Sequence, residues 1–355
     1  MAAQHDFTSL VALRTKGGEL TALRAISGPE QVRQVQPLLQ FDPRGSAPAS
    51  QLDAVEAAIR NLRQLGRRVM LDASEVAHLP AFGHGPTGPL GQLADRLSDP
   101  VDLLDAIAPS TFVPVVRSDA DLQSAAALGR LCHELAAGGA LRIRPATAAR
   151  ATIEQIIEQL ALDTGEIDLI VDLQYVPEVT AARVDEAAAI LSALAELGEF
   201  RTTSLLSGSI PRTLARTSTW EQPRNEEVLW DQLSQNGATE LRLGDYGTIH
   251  PIPSEGFGSK HVNLKYTCPE HWFYSRERMP EPSDQAMDSP RARTFRIVCR
   301  NLVESDSFAG PEFSWGDREI LETAAGQGQG SGSSSKPVAL AISHHLAYLA
   351  GRRAA

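Results

Sequence analysis

The sequence predicts an α/β fold of the (β/α)8 TIM-like barrel type, and three observations predict it. Eight short apolar runs lie between Ser9 and Leu243. Helical patterns separate the first seven, which implies parallel pairing through crossover connections. The turn after the first run, Thr15-Lys16-Gly17-Gly18-Glu19, has no G-x-G-x-x-G, the phosphate turn usual in an open doubly wound sheet. Eight strand–helix units are the number that closes a barrel.

The elements follow in order. The first strand is read at Ser9–Leu13, and a helix runs from Glu19 to Ile26. The second strand spans Val35–Leu39, ahead of a strongly periodic helix from Gln51 to Leu65. Gly66 ends that helix, and Arg68–Asp72 forms the third strand. A Gly/Pro/His loop over Pro80–Pro89 leads into helical stretches that end near Ile107. The fourth strand, Phe112–Arg117, enters a helix capped by Ser118 or Asp119 and running to Ala137. A Gly-Gly turn precedes the fifth strand, Ala140–Arg144, which enters a helix at Thr152–Leu162. The sixth strand, Ile167–Asp172, precedes the helix Val179–Leu197, and the seventh is Phe200–Leu206. The eighth is Glu240–Leu243, after an insertion over 210–237 that carries Trp220 and Trp230.

Beyond the eighth strand the pattern breaks. Residues 244–294 are interrupted by Pro, hold several aromatics and show little periodicity, which predicts a long loop excursion covering the barrel mouth. Thr294–Val303 reads as a further strand or helix. The Ser/Gly-rich stretch 325–336 has flexible-linker composition. The segment 337–351 is helix-like and a candidate for the eighth outer helix. The chain, 1–355, is expected as a single barrel domain.

Composition bounds the function. With 33 Lys+Arg against 44 Asp+Glu, the formal charge is −11. The basic footprint that drives non-specific nucleic-acid binding is absent. Only four of those cations are Lys (Lys16, Lys260, Lys265 and Lys336). No apolar run is long enough to cross a bilayer, so no membrane partner is expected. The start, MAAQHDFTSL, lacks the basic and apolar regions of a signal peptide. Cys132, Cys268 and Cys299 are scattered, with neither a disulfide framework nor metal spacing. A cytoplasmic protein is the expectation, and no cofactor is identified.

Barrel function sits at the C-terminal strand ends and the loops beyond them. Strand one ends near Arg14 and Lys16, strand three at Asp72, strand four at Arg117 and strand six at Asp172. Arg142 and Arg144, two apart, share one face of strand five, as Asp168, Ile170 and Asp172 do on strand six. Charges that end apolar strands need partners or solvent. Converging Arg and Asp predict a pocket for a small anion: Asp72 and Asp172 as acid/base groups or metal ligands, and Arg117, Arg142 and Arg144 as charge clamps. Lys16 lies on the same rim. Ser207-Gly208-Ser209 could hold phosphate through backbone N–H groups, and Asp245 with Tyr246 could orient the ligand. The competing reading is a salt-bridge layer that plugs the barrel top. No Lys on strands five to seven argues against a Schiff-base aldolase, and no H-x-H after strand one against a metal-dependent amidohydrolase. Adjacent His344 and His345 point in different directions on a helix and suit separate partners. Lys265-Tyr266-Thr267 with Trp272, Tyr274, Arg276 and Arg278 mixes aromatics and cations, as stacking or peptide-binding surfaces do.

Several segments together resemble the phage-type beta-protein family. Leu13-Arg14-Thr15-Lys16-Gly17-Gly18-Glu19-Leu20-Thr21-Ala22-Leu23 resembles its L-x-x-K-x-G-E-x-x-A-L start. Gly244-Asp245-Tyr246 resembles its G-D-Y block, and Lys265-Tyr266-Thr267 followed by Trp272 its K-Y-T…W block. Phe313-Ser314-Trp315-Gly316-Asp317 and His344-His345 resemble its closing blocks, and the order of all of these carries the likeness. The resemblance implies a barrel-like fold and an association with phages, prophages or bacterial defence loci. It implies no settled reaction, so catalysis is left open. A protein or nucleic-acid partner for a non-catalytic recognition or scaffold module is the alternative to an anionic, phosphate-bearing ligand. Lys336-Pro337 stands where the family pattern leads us to expect a Trp-Arg pair, which puts any role needing that pair in doubt.

Overall fold

A computed structural model describes residues 7–83, 85–100, 111–236, 240–253, 259–281, 288–327 and 333–352. Eight parallel strands close a barrel: β1 (Ser9–Arg14), β2 (Val35–Gln40), β3 (Val69–Asp72), β4 (Phe112–Arg117), β5 (Gly139–Ile143), β6 (Ile167–Tyr175), β7 (Thr202–Gly208) and β9 (Leu241–Asp245). β9 pairs with β7 on one side and β1 on the other, with Val11 opposite Asp245, which seals the ring.

Strand alternation divides the apolar side chains between two cores. Leu10, Ala12, Leu38, Met70, Val113, Val115, Ala140, Ile170, Leu206 and Tyr246 fill the barrel interior. Their neighbours Val11, Leu13, Leu39 and Leu71 face the outer helices. Those helices are α1 (Gly17–Arg24), α2 (Pro48–Gln64), α3 (Pro89–Ser98), α4 (Leu122–Leu135), α5 (Arg150–Leu160), α6 (Ala181–Ala195) and α7 (Asn225–Asn236). In α2, Leu52, Val55, Ile59 and Leu62 repeat at helical spacing and are buried, and Pro48 lies in the first turn, where no N–H is needed. The cap of α4 is Asp121, whose carboxylate accepts the Ser124 N–H at 2.8 Å. Ser118 and Asp119, expected as caps, lie in the turn before it. The helical stretches expected up to Ile107 run into 101–110, outside the described residues.

The tail departs from the sequence expectation. Within 244–294 lie two strands, β10 (His261–Thr267) and β11 (His271–Arg278), and 210–237 contributes β8 (Ser218–Pro223) as well as α7. These three form an antiparallel sheet in the order β10-β11-β8. The reason is a period of two hidden among prolines: Val262, Leu264 and Tyr266 are buried while His261, Asn263 and Lys265 are less so. That face packs on α8 (Pro290–Val303), α9 (Trp315–Ala324) and α10 (Lys336–Gly351) through Phe295, Val298, Cys299, Leu302, Ile320 and Leu340. The segment expected as strand or helix at Thr294–Val303 is thus part of a helix. α10 also sends Ile342, Leu346 and Leu349 into the barrel's outer core. α9 and α10 approach closely at Gly316, where a Cβ would lie 2.2 Å from the Leu340 carbonyl oxygen. Five residues of the linker expected over 325–336, 328–332, fall outside the described residues. Cys132, Cys268 and Cys299 are buried free thiols, and among the described residues no helix is long and apolar enough to cross a membrane.

Candidate functional site

The top of the barrel interior is closed by a polar layer. Arg142 is 1% exposed. Its Nη1 donates to Asp72 Oδ2 at 2.7 Å, and its Nε and Nη2 donate to Asp172 Oδ2 at 3.0 and 2.8 Å. Nη2 also reaches the Tyr246 hydroxyl oxygen at 2.8 Å, and that hydroxyl donates to Asp172 Oδ1 at 2.6 Å. Arg144 Nε adds a third cationic contact to Asp172 Oδ2 at 3.2 Å. Backbone N–H groups of Ser74 and Gln174 complete the two carboxylates. A register shift between Asp172 and Gln174, with Gln174 at φ 57°, turns β6 just above the layer.

Two carboxylates and two guanidiniums balance, so this layer is electrically neutral. Burial pushes the Asp72 carboxyl upward, but Arg142 and the Ser74 hydrogen bonds outweigh it and hold it below its ordinary value. Burial likewise works against the Arg142 charge, yet Tyr246, Asp172 and Asp72 together hold it well above the usual arginine value. Burial raises the Tyr246 phenol, which stays a donor.

Above the layer, two cations lack an acidic hydrogen-bond partner. Arg14, the last residue of β1, donates through Nη2 to the His250 and Pro251 carbonyl oxygens at 2.8 and 3.2 Å. Lys265 comes from β10, outside the barrel, and donates through Nζ to the Thr248 carbonyl oxygen at 2.9 Å. Among the described residues neither hydrogen-bonds a carboxylate. Burial depresses Arg14, partly offset by Asp42 and Glu19. Burial, and then the Arg14 charge, bring Lys265 down to about 8. Arg144, with a side chain 25% exposed, reaches solvent at the same end of the barrel.

A cleft opens beside this mouth. β3 stops at Asp72 and pairs with β4 no further than Leu71 opposite Pro114, while β4 runs on to Arg117. The gap holds a cavity of ≈480 Å³ bounded by the 73–78 turn, the start of α3 and the start of α4. Arg117 lies on its wall and is fully engaged: Nε donates to Asp119 at 2.8 Å, Nη2 also bonds Asp119, and Nη1 donates to Glu75 at 2.7 Å.

The sequence candidates therefore separate. Asp72, Arg142, Asp172, Tyr246 and Arg144 converge; Arg117 borders the cleft; Lys16 pairs with Asp42 at 3.1 Å. Ser207 and Asp245 follow inward-facing Leu206 and precede inward-facing Tyr246, so both point outward. Asp245 accepts from the Gly247 N–H at 2.8 Å and lies 2.9 Å from His345 Nε2. The Ser209 N–H is committed to Glu226 Oε2 at 3.1 Å and its Oγ accepts from Trp272 Nε1. In the turn expected to hold phosphate at Ser207–Ser209, the Ser209 N–H is thus taken by a carboxylate of α7, and all three residues are buried. His344 contacts Asp317 at 2.9 Å, and His345 contacts Asp245, so the pair serves two separate carboxylates. Among the described residues no group of three His, Cys, Asp or Glu could hold a metal ion. Lys265, which the sequence singled out only within an aromatic and cationic cluster, stands at the mouth with Arg14; the signals for that place are the scarcity of Lys and its position in a two-residue alternation.

A family model described as Beta protein matches residues 11–351. No curated protein matches the chain. Among solved structures, one from Coccidioides immitis, described as a candidate fructose-1,6-biphosphate aldolase, aligns with a TM-score of 0.40 at 10% identity, covering 98% of this chain and 93% of that one.

Proposed function

The chain belongs to the Beta protein family, and from its barrel mouth we propose that it binds a small ligand through an anionic, phosphate-bearing group, in the phage- or defence-associated setting that the family resemblance implies. The observation that carries this reading is the pair Arg14 and Lys265: two partly buried cations whose hydrogen bonds go only to carbonyl oxygens. Desolvated positive charge without an acidic contact favours a ligand that supplies one. Arg144 would add a guanidinium from the opposite side of the ring. Beneath them Asp72, Arg142, Asp172 and Tyr246 act as a rigid floor. The Tyr246 hydroxyl donates to Asp172 Oδ1 at 2.6 Å, a pair that could serve acid/base chemistry on a bound group.

Thermal melts with inorganic phosphate and pyrophosphate test the reading. A ligand that binds only the folded state adds about 2.7 kcal/mol at a hundred times its Kd. The midpoint should climb with either anion in the parent and stay flat in an Arg14→Met/Lys265→Met double variant. No response in the parent, or an equal response in the variant, overturns it.

The closure of the floor favours a second reading. Arg142 gives its guanidinium to Asp72, Asp172 and Tyr246, as a structural plug would, and a barrel plugged in this way could be a recognition or scaffold module for a protein or nucleic-acid partner. Binding of such a partner, with phosphate and pyrophosphate both silent, would select it.

A further inference from the structure

We propose that the lateral cleft between the ends of β3 and β4 is a separate binding site for an organic cation with an apolar stem, an alkylamine or alkylguanidine. Because β4 outruns β3, the barrel wall is open there, and the cleft reaches inward to Val115, an interior residue. Its ≈480 Å³ lies within the span of about 300–1,000 Å³ typical of small-molecule sites. The base is apolar, with Val115 and Leu90 both 1% exposed and Leu128 beside them.

The charged rim sets the ligand's sign. Glu75, Asp119 and Asp121 face one guanidinium, Arg117, which leaves two formal negative charges in excess. Arg117 already holds Asp119 and Glu75, so an incoming anion would have to displace both and then face Asp121. A cation meets the opposite situation, since the Glu75 and Asp119 side chains are 44% and 42% exposed and keep free oxygen lone pairs. Asp121 is held in place by the Ser124 N–H and hydroxyl at 2.8 and 2.7 Å. An alkyl stem would lie against Leu90 and Leu128 while its cationic head stays at the rim, the division of labour seen when a lysine stem covers apolar surface. This site stands apart from the anion reading of the mouth, because it draws on neither Arg14 nor Lys265.

The test uses the full chain and backbone-amide NMR titrations with four probes: hexylamine, agmatine, hexanol and hexanoate. Hexylamine and agmatine should shift amides of the 73–78 turn and the first turn of α4, and hexanoate should not. Asp119→Asn should weaken both amines by about tenfold, the scale of 1.4 kcal/mol. Leu90→Trp, which fills the base, should abolish binding, and Ala120→Phe serves the same purpose should the tryptophan variant fail to fold. An amine linked to a peptide, as in acetyl-lysine-amide, distinguishes a side-chain ligand from a free metabolite by binding as well as hexylamine or worse. Hexanoate or hexanol binding as tightly as hexylamine overturns the charge assignment, and amine shifts that survive the filled cleft overturn the site.

Discussion

Replacing Lys265 with methionine is expected to make the protein more stable, and the size of the effect follows from the mouth's electrostatics. Burial and Arg14 bring the ammonium from 10.5 to about 8. At about 1.4 kcal/mol per pKa unit, keeping that side chain charged at pH 7 costs the folded state about 3 kcal/mol. Methionine retains the apolar stem and gives up the hydrogen bond to the Thr248 carbonyl, a loss of about 1 kcal/mol. The net expectation for Lys265→Met at pH 7 is a gain of about 2 kcal/mol. The pH dependence has a definite sign. The folded-state value lies below the unfolded one, so the destabilisation is complete below about pH 8 and is relieved as pH rises from there towards 10.5. At pH 9.5 the remaining cost is about 1 kcal/mol, and the advantage of methionine shrinks to nearly nothing. Urea denaturation of both proteins at pH 7 and pH 9.5, followed by tryptophan fluorescence, measures it without the ionic screening that guanidinium brings. A methionine variant that is less stable than the parent, by the same amount at both pH values, would show that Lys265 has a counter-charge. The surplus of positive charge at the mouth would then be disproved.

Three further outcomes are expected. Arg142→Met leaves buried Asp72 without its ion-pair partner and Asp172 with Arg144 alone, and should lower stability by about 3–5 kcal/mol in urea titrations; adding Asp72→Asn and Asp172→Asn should recover part of the loss, and a near-neutral single variant would contradict the network. Asp72→Asn should be less stable than the parent at pH 7. Because the Asp72 carboxyl is held below its ordinary value, its contribution is present above about pH 4 and fades as pH falls further, so the gap should close in strong acid; a gap that is constant with pH speaks against that pairing. Gly316→Ala should force α9 off α10, because the new Cβ would meet the Leu340 carbonyl oxygen, and should lower stability by about 1–3 kcal/mol; an unchanged melt would remove the close contact.

Much of the barrel was legible because its signal is local. Each strand alternates between two cores, so Arg142, Asp72 and Asp172 could be placed on inner faces from sequence parity alone. The same parity argues against Ser207 and Asp245, which were chosen for their position at strand ends although their inward neighbours are Leu206 and Tyr246. What stayed hidden is long-range. Arg117 meets Glu75 across 42 residues, and no local pattern announces that it is already paired. Lys265 enters the mouth on a strand that belongs to another sheet, and its alternation is only seven residues long.

The placement of α10 has a consequence for how the chain is made. This helix fills the outer slot against α1 and also roofs the β10-β11-β8 sheet. The first strand–helix unit, which ends at Arg24, therefore waits for the segment beginning at Lys336 before its apolar flank is covered. During synthesis at about 5–20 residues per second, that flank stays exposed for tens of seconds. Ring closure by β9 against β1 joins segments separated by most of the barrel, a contact that loop entropy makes slow to form. Two distant segments thus act as a latch: synthesis lays out the staves in order, and α10 locks α1 in only after the whole barrel has emerged.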